Sequence, residues 1–150
     1  MNVEANKALV RRFYEEVWHR GNVRFAEEVF ADDYVRHDLR PTTAEPGGPG
    51  QALIAEQFRR AFPDLEWRVE LLLGEGDFVA ARWTASGTHA GAWADVPLTG
   101  KHVTFSGVNI FRFGDGGQVA EIWNHRDDLG LREQLGAPVF AGSPTSAEQD

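Results

Sequence analysis

The stretch LIAEQFRRAFPDLEWRVELLL, residues 53–73, changes its period in the middle, and that change decides the fold class. Its first half places Leu53, Ile54, Gln57, Phe58, Ala61 and Phe62 at the three-to-four spacing of one helical face. Pro63 and Asp64 stop that helix, since proline has no N–H to continue the hydrogen-bond ladder. In the second half Trp67, Val69, Leu71 and Leu73 alternate with more polar neighbours, the two-residue period of a half-buried strand.

Upstream of this switch the periodic segments read as helix. Leu9, Val10, Phe13, Val17 and Trp18 fall on one face of a first helix that Gly21 ends. Asn22 is placed to cap a second, short helix carrying Phe25, Ala26, Val29 and Phe30. A polar passage, Asp32 to Asp38, then runs into a Pro- and Gly-rich loop from Pro41 to Gly50. Downstream, as far as about Arg126, the periodic segments read as extended. Gly76-Asp77 makes a turn, Phe78 to Thr88 a second strand and Val103 to Phe113 a third. Asp115-Gly116-Gly117 is a hairpin signal leading into a last strand from Gln118 to about Arg126. Leu129 to Leu135 reads as a short closing helix.

Helices first and an antiparallel sheet second predict an α+β fold, with N-terminal helices packed on a strongly curved, mostly antiparallel sheet around an internal pocket. The expected division is one domain over residues 1–137 and a flexible tail over 138–150, where the small polar run SPTSAEQD begins at Ser143. With 150 residues, 42% of them hydrophobic and 11% aromatic, the chain has material for a core and for a lined cavity. A formal net charge of -8 and the absence of a basic stripe argue against nucleic-acid binding. No apolar run approaches the roughly 20 residues of a membrane span. The N-terminus does not read as a signal peptide, so a cytoplasmic protein is expected. Having no Cys, the chain offers no thiolate ligand or nucleophile, and its five His lack metal-ligand spacing.

Several short motifs, in order over residues 6–136, resemble the SnoaL-like polyketide cyclases. They are Asn6-Lys7-x-x-Val10-x-x-Phe13-x-Glu15, Val29-Phe30-Ala31-x-Asp33-Tyr34-Val35-x-His37 and Phe62-Pro63-Asp64-Leu65 in the first half. In the second half they are Gly87-Thr88-His89-x-Gly91, Pro97-x-Thr99-Gly100-Lys101, Ile110-Phe111-Arg112-Phe113, Glu121-x-Trp123, Asp128-x-Gly130 and Gln134-Leu135-Gly136. The resemblance implies a nuclear-transport-factor-2-like cone, usually a homodimer, with a pocket for a small hydrophobic aromatic ligand. It also implies aldol ring closure in antibiotic biosynthesis, or assistance of ring hydroxylation, without metal or organic cofactor. In such cyclases an Asp after the last-strand Trp is the acid/base, helped by a His one strand away. The matching positions here are Asn124 and Asn109. A neutral amide cannot take a proton from carbon, but it can orient and polarise a carbonyl or enol oxygen.

The candidate catalytic residues are therefore Asn124, Asn109 and His37, the last at the expected pocket rim. Arg82, mid-strand, is a candidate to hold a substrate carboxylate or enolate, or to pair with Asp127. One of Asp127 and Asp128 is expected to cap the closing helix. Phe111, Trp67, Trp93 and Phe62 are candidate ring contacts, with Trp83, Trp123, Phe105 and Phe113 completing an aromatic set. His89 is either a ligand contact or a structural hydrogen bond fixing the next loop. His125 should face away from Asn124 by strand parity, and His19 and His102 read as surface. The predicted function is a cofactor-free enzyme acting on an aromatic or polycyclic ketone or quinone. The alternative is a non-catalytic ligand-binding or dimerising accessory domain, and isomerase or ring-opening chemistry is a third possibility on such a fold.

Overall fold

The computed structural model describes residues 2–38, 47–93 and 95–137. Helix α1 spans Val3–Phe13, with Asn2 accepting the Ala5 N–H at its start. The same helical run continues from Tyr14 to His19 as a π-helix, not as more α-helix. The wider turn brings Tyr14, Val17 and Trp18 all into the interior. A 3₁₀ turn, Val23–Phe25, and helix α2, Ala26–Val29, follow, and Asn22 gives no side-chain cap, contrary to expectation. Helix α3 spans Gly47–Ala61, so Gly47 to Gly50 begin a helix where the sequence suggested the end of a loop. Pro49 is tolerated there because first-turn N–H groups have no helical partner.

Five strands form one open mixed sheet: β1 Phe30–His37, β2 Glu66–Glu75, β3 Phe78–Thr88, β4 His102–Phe113 and β5 Val119–Arg126, in the order β1-β5-β4-β3-β2. Strand β1 is a correction, because residues 32–38 had read as a polar passage. It pairs parallel to β5, with His37 opposite Trp123, while the other pairs are antiparallel. Only Phe30 and Tyr34 are fully buried along it, so its period is masked by the charges of an edge strand.

Strand β2 carries a second correction. Val69 pairs with Trp83 but Leu71 with Arg82, so Glu70 is an extra residue in a bulge. The bulge inverts the faces beyond it. Leu71 and Leu73 turn to solvent, 50% and 57% exposed, and Leu72 packs against the core instead. Helix α4, Asp128–Leu135, closes the chain on the Asp127 cap, whose Oδ1 accepts the Gly130 N–H at 2.8 Å. Helices and inward sheet face together bury Val10, Phe13, Phe30, Phe62, Phe111, Phe113 and Ile122 almost completely. The segment expected to form a flexible tail, 138–150, lies outside the described residues.

Candidate functional site

The aromatic residues of four elements stack toward one another. Trp67 of β2 lies 4.1 Å, ring centre to ring centre, from Trp83 of β3 and 4.7 Å from Trp18 of the π-helix. Trp18 meets Phe58 of α3 edge-on at 5.7 Å. These four rings form the apolar wall of a cavity holding about 390 Å³ of empty space, part of it open to solvent. Gly107 makes the stacking possible: a Cβ there would come within 2.5 Å of the Trp83 ring.

The polar wall comes from β1, β4, β5 and α3. Asn109 and Asn124 are direct register partners on β4 and β5, and both line the cavity. The Trp83 indole N–H donates to Asn109 Oδ1 at 3.3 Å. The Asn124 amide donates to Asp38 Oδ1 at 3.0 Å. Asp38 Oδ2 in turn accepts from Arg36 Nε at 2.6 Å, and Arg36 Nη1 donates to Gln51 Oε1 at 2.8 Å. Tyr34 also donates to Gln51, at 3.3 Å, and burial raises the pKa of its phenol. Arg36 and Asp38 keep only 15% and 16% of their side chains exposed, so this is a built network and not a solvated pair. On the other side Arg126 pairs with Asp128 and lies 4.7 Å above the Phe58 ring. Beside Asn109, burial pushes the Tyr14 phenol well above its usual pKa. It approaches the Asn109 amide without closing a hydrogen bond of normal geometry.

Of the residues singled out by sequence, Asn109, Asn124 and Trp67 meet in this cavity. His37 does not. Strand parity turns it outward, where it stacks on Trp123 and bonds Glu121 Oε2 at 2.6 Å. Arg82 also points to solvent, and Asp127 serves as the helix cap, so the Arg82–Asp127 pair does not form. Phe111 shares the inward face of Asn109 but packs deeper, against Phe13 and Tyr14. Phe62 is core, between Phe58, Phe105 and His89. Trp93 is buried beside Phe58 and forms a bridge with Val96. His89 is fully buried and structural: its Nδ1 accepts the Thr99 N–H at 3.2 Å. His125 faces outward, as parity required. His19, which had read as surface, holds the start of β2 by accepting the Trp67 N–H at 3.1 Å.

Sequence reasoning missed Arg36, Asp38, Gln51, Trp18 and Arg126. The signal for the first two was the alternation Tyr34-x-Arg36-x-Asp38, which shares one strand face once β1 is seen as a strand. Among the described residues no group of three His, Asp or Glu side chains is arranged to hold a metal. No helix there is long and apolar enough to cross a membrane. Chemically, the cavity offers flat apolar surface, the amides of Asn109, Asn124 and Gln51 and two arginines, while the Asp38 carboxylate, which is not among the lining groups, bonds the Asn124 amide.

Known structures share this architecture. TsrD from Streptomyces laurentii superposes with a TM-score of 0.81 at 27% identity, covering 91% of this chain and 98% of that one. AclR, a candidate hydroxylase from Streptomyces galilaeus, gives 0.77 at 29% identity, with 90% and 83% covered. IdmH, a candidate polyketide cyclase from Streptomyces antibioticus, gives 0.72 at 27%, with 88% and 99% covered. No protein of curated function matches the chain in sequence. The SnoaL-like polyketide cyclase profile matches residues 8–135, and the chain belongs to that family.

Proposed function

We propose that this protein is a cofactor-free enzyme that closes a ring in an aromatic or polycyclic ketone by an intramolecular aldol reaction, with Asp38 as its base. The observation that carries this is the 3.0 Å bond between Asp38 and Asn124. Asn124 stands where a cyclase of the resembled kind has its acid/base, and an amide cannot take a proton from carbon. Parallel pairing of β1 with β5 sets a carboxylate beside it from the neighbouring strand.

In this reading the stacked indoles hold the flat ring system and exclude water. An amide N–H polarises the substrate carbonyl while Asp38 removes a proton from the adjacent carbon. The enolate carbon attacks a second carbonyl carbon of the same molecule, forming the new C–C bond. The resulting alkoxide takes the proton back from Asp38, so the product is an isomer of the substrate. Family membership and the likeness to IdmH support the reading.

The test is incubation with linear polyketide ketones, followed by mass spectrometry. Asp38→Asn should cut ring closure by about a hundredfold or more with binding retained. Turnover undiminished in that variant would remove Asp38 as the base. Tight binding without turnover by the wild type would favour the accessory-domain reading. The likeness to AclR supports a second reading, assistance of ring hydroxylation, which predicts a product gaining one oxygen and dependent on O₂ and a reductant.

A homodimer is proposed as well, through the outer sheet face. Leu73, Ala80, Ile110, Trp123 and His37 run as one register row across all five strands there. Val35, Phe78 and Val108 beside it are 38% to 50% exposed, a large apolar surface to leave in water.

A further inference from the structure

The amides of Asn109 and Asn124 are not free to choose which end they present. An indole N–H can only donate, so the Asn109 atom meeting Trp83 Nε1 is the carbonyl oxygen. An ionised carboxylate can only accept, so the Asn124 atom meeting Asp38 is the nitrogen. The Trp83 bond leaves the NH₂ of Asn109, one N–H turned toward the Tyr14 hydroxyl and the other left for the cavity, and the Asp38 bond leaves the carbonyl oxygen of Asn124. Both anchors are themselves fixed. Trp83 is 2% exposed and lies over Gly107, and Asp38 is held from its other oxygen by Arg36. As direct register partners, the two residues have side-chain roots about 5 Å apart.

We propose that this opposed pair determines specificity, selecting an aromatic ketone that carries a hydroxyl on the same edge, two ring positions from the carbonyl-bearing carbon. The carbonyl accepts from Asn109 Nδ2, and the hydroxyl donates to Asn124 Oδ1. The rings lie against Trp18, Trp67 and Phe58 in the apolar wall. The inference rests on the cavity being the ligand site, as in the function proposed above, but not on any chemical step. A ligand that places a donor opposite Asn109 and an acceptor opposite Asn124 would set like against like at both points and leave buried groups unpaired.

Isothermal titration calorimetry with small bicyclic probes tests it. The probes are 7-hydroxy-1-tetralone, with the groups at the required spacing; 6-hydroxy-1-tetralone, with the same groups one position further apart; 1-tetralone, without the hydroxyl; and 5,6,7,8-tetrahydro-2-naphthol, without the carbonyl. The first should bind about tenfold more tightly than each of the others, one hydrogen bond being lost in each case. Asn109→Ala should erase the advantage over the naphthol and keep the advantage over 1-tetralone. Asn124→Ala should do the reverse. Thermal melts of both variants check that they fold. Equal affinity for the 6- and 7-hydroxy isomers, an equal loss for all probes in Asn109→Ala, or no binding of any probe at millimolar concentration would each overturn the proposal. Selective binding without ring closure of any linear ketone would instead overturn the enzymatic reading and leave this one standing.

Discussion

The imidazole of His89 is locked between β3 and the loop that follows it. Its ring bonds Thr99, while its own backbone exchanges hydrogen bonds with Lys101 and Gly100. Burial favours the neutral ring and lowers its pKa below the ordinary value. The unfolded chain therefore binds a proton at this residue near pH 6.5, and the folded chain only at lower pH. Stability contributed by the neutral ring is complete above about pH 6.5 and falls as the pH drops toward the lowered folded pKa. Melting temperatures at pH 7.5 and pH 5 should thus diverge more for the wild type than for His89→Gln. An equal drop in both proteins would mean that His89 does not carry the acid sensitivity. Sequence alone had offered both a ligand contact and a structural bond for this residue. Burial decided for the bond, and burial depends on Phe62 arriving from another element.

Elements were legible where the period was strong and the ends were marked. Strand β3 agrees with its sequence limits to the residue, and β4, β5 and α4 to within one. Helix α4 shows why, since it starts at a side chain able to take its free N–H groups. Asp127→Ala should cost about 1 kcal/mol in urea unfolding, and Asp127→Ser much less, because serine also accepts at that position. A loss of several kcal/mol on Asp127→Ala would instead point to a buried ion pair. Strand β1 was missed for the opposite reason. As an edge strand it buries one face only, and its solvent face carries Asp33, Val35 and His37 without periodic contrast. The Glu70 bulge left no sequence mark either, since Leu71, Leu72 and Leu73 are one residue type and cannot report which of them turns inward.

Across the whole molecule the two sheet faces do different work. The concave face holds the core and the cavity, and the outer face carries the apolar row and the His37–Glu121–Arg112 cluster. Glu121 bonds both His37 and Arg112, and those bonds hold its carboxyl below the ordinary carboxylate pKa. If two copies meet on this face, light scattering on the wild type should give about twice the chain mass of 16.7 kDa. Val108→Lys with Phe78→Lys should then return the mass to that of one chain with the fold retained. An unchanged dimer in that variant would move the interface elsewhere.

The amino-acid sequence by itself determined the class: helices before strands, the turn that ends each strand of the main hairpins, the family, and the presence of amides, Asn109 and Asn124, at the two positions to which the family resemblance pointed. These are local properties, carried by hydrophobic period, Gly and Pro punctuation and residue identity at motif positions. Only the tertiary structure decided what surrounds those amides. Asp38 and Asn124 are 86 positions apart in the chain yet share a 3.0 Å hydrogen bond. That neighbourhood exists because β1 returns to pair parallel with β5, and no periodicity in either segment records the pairing. His37, one residue away, is turned to the opposite face by the two-residue alternation of the same strand.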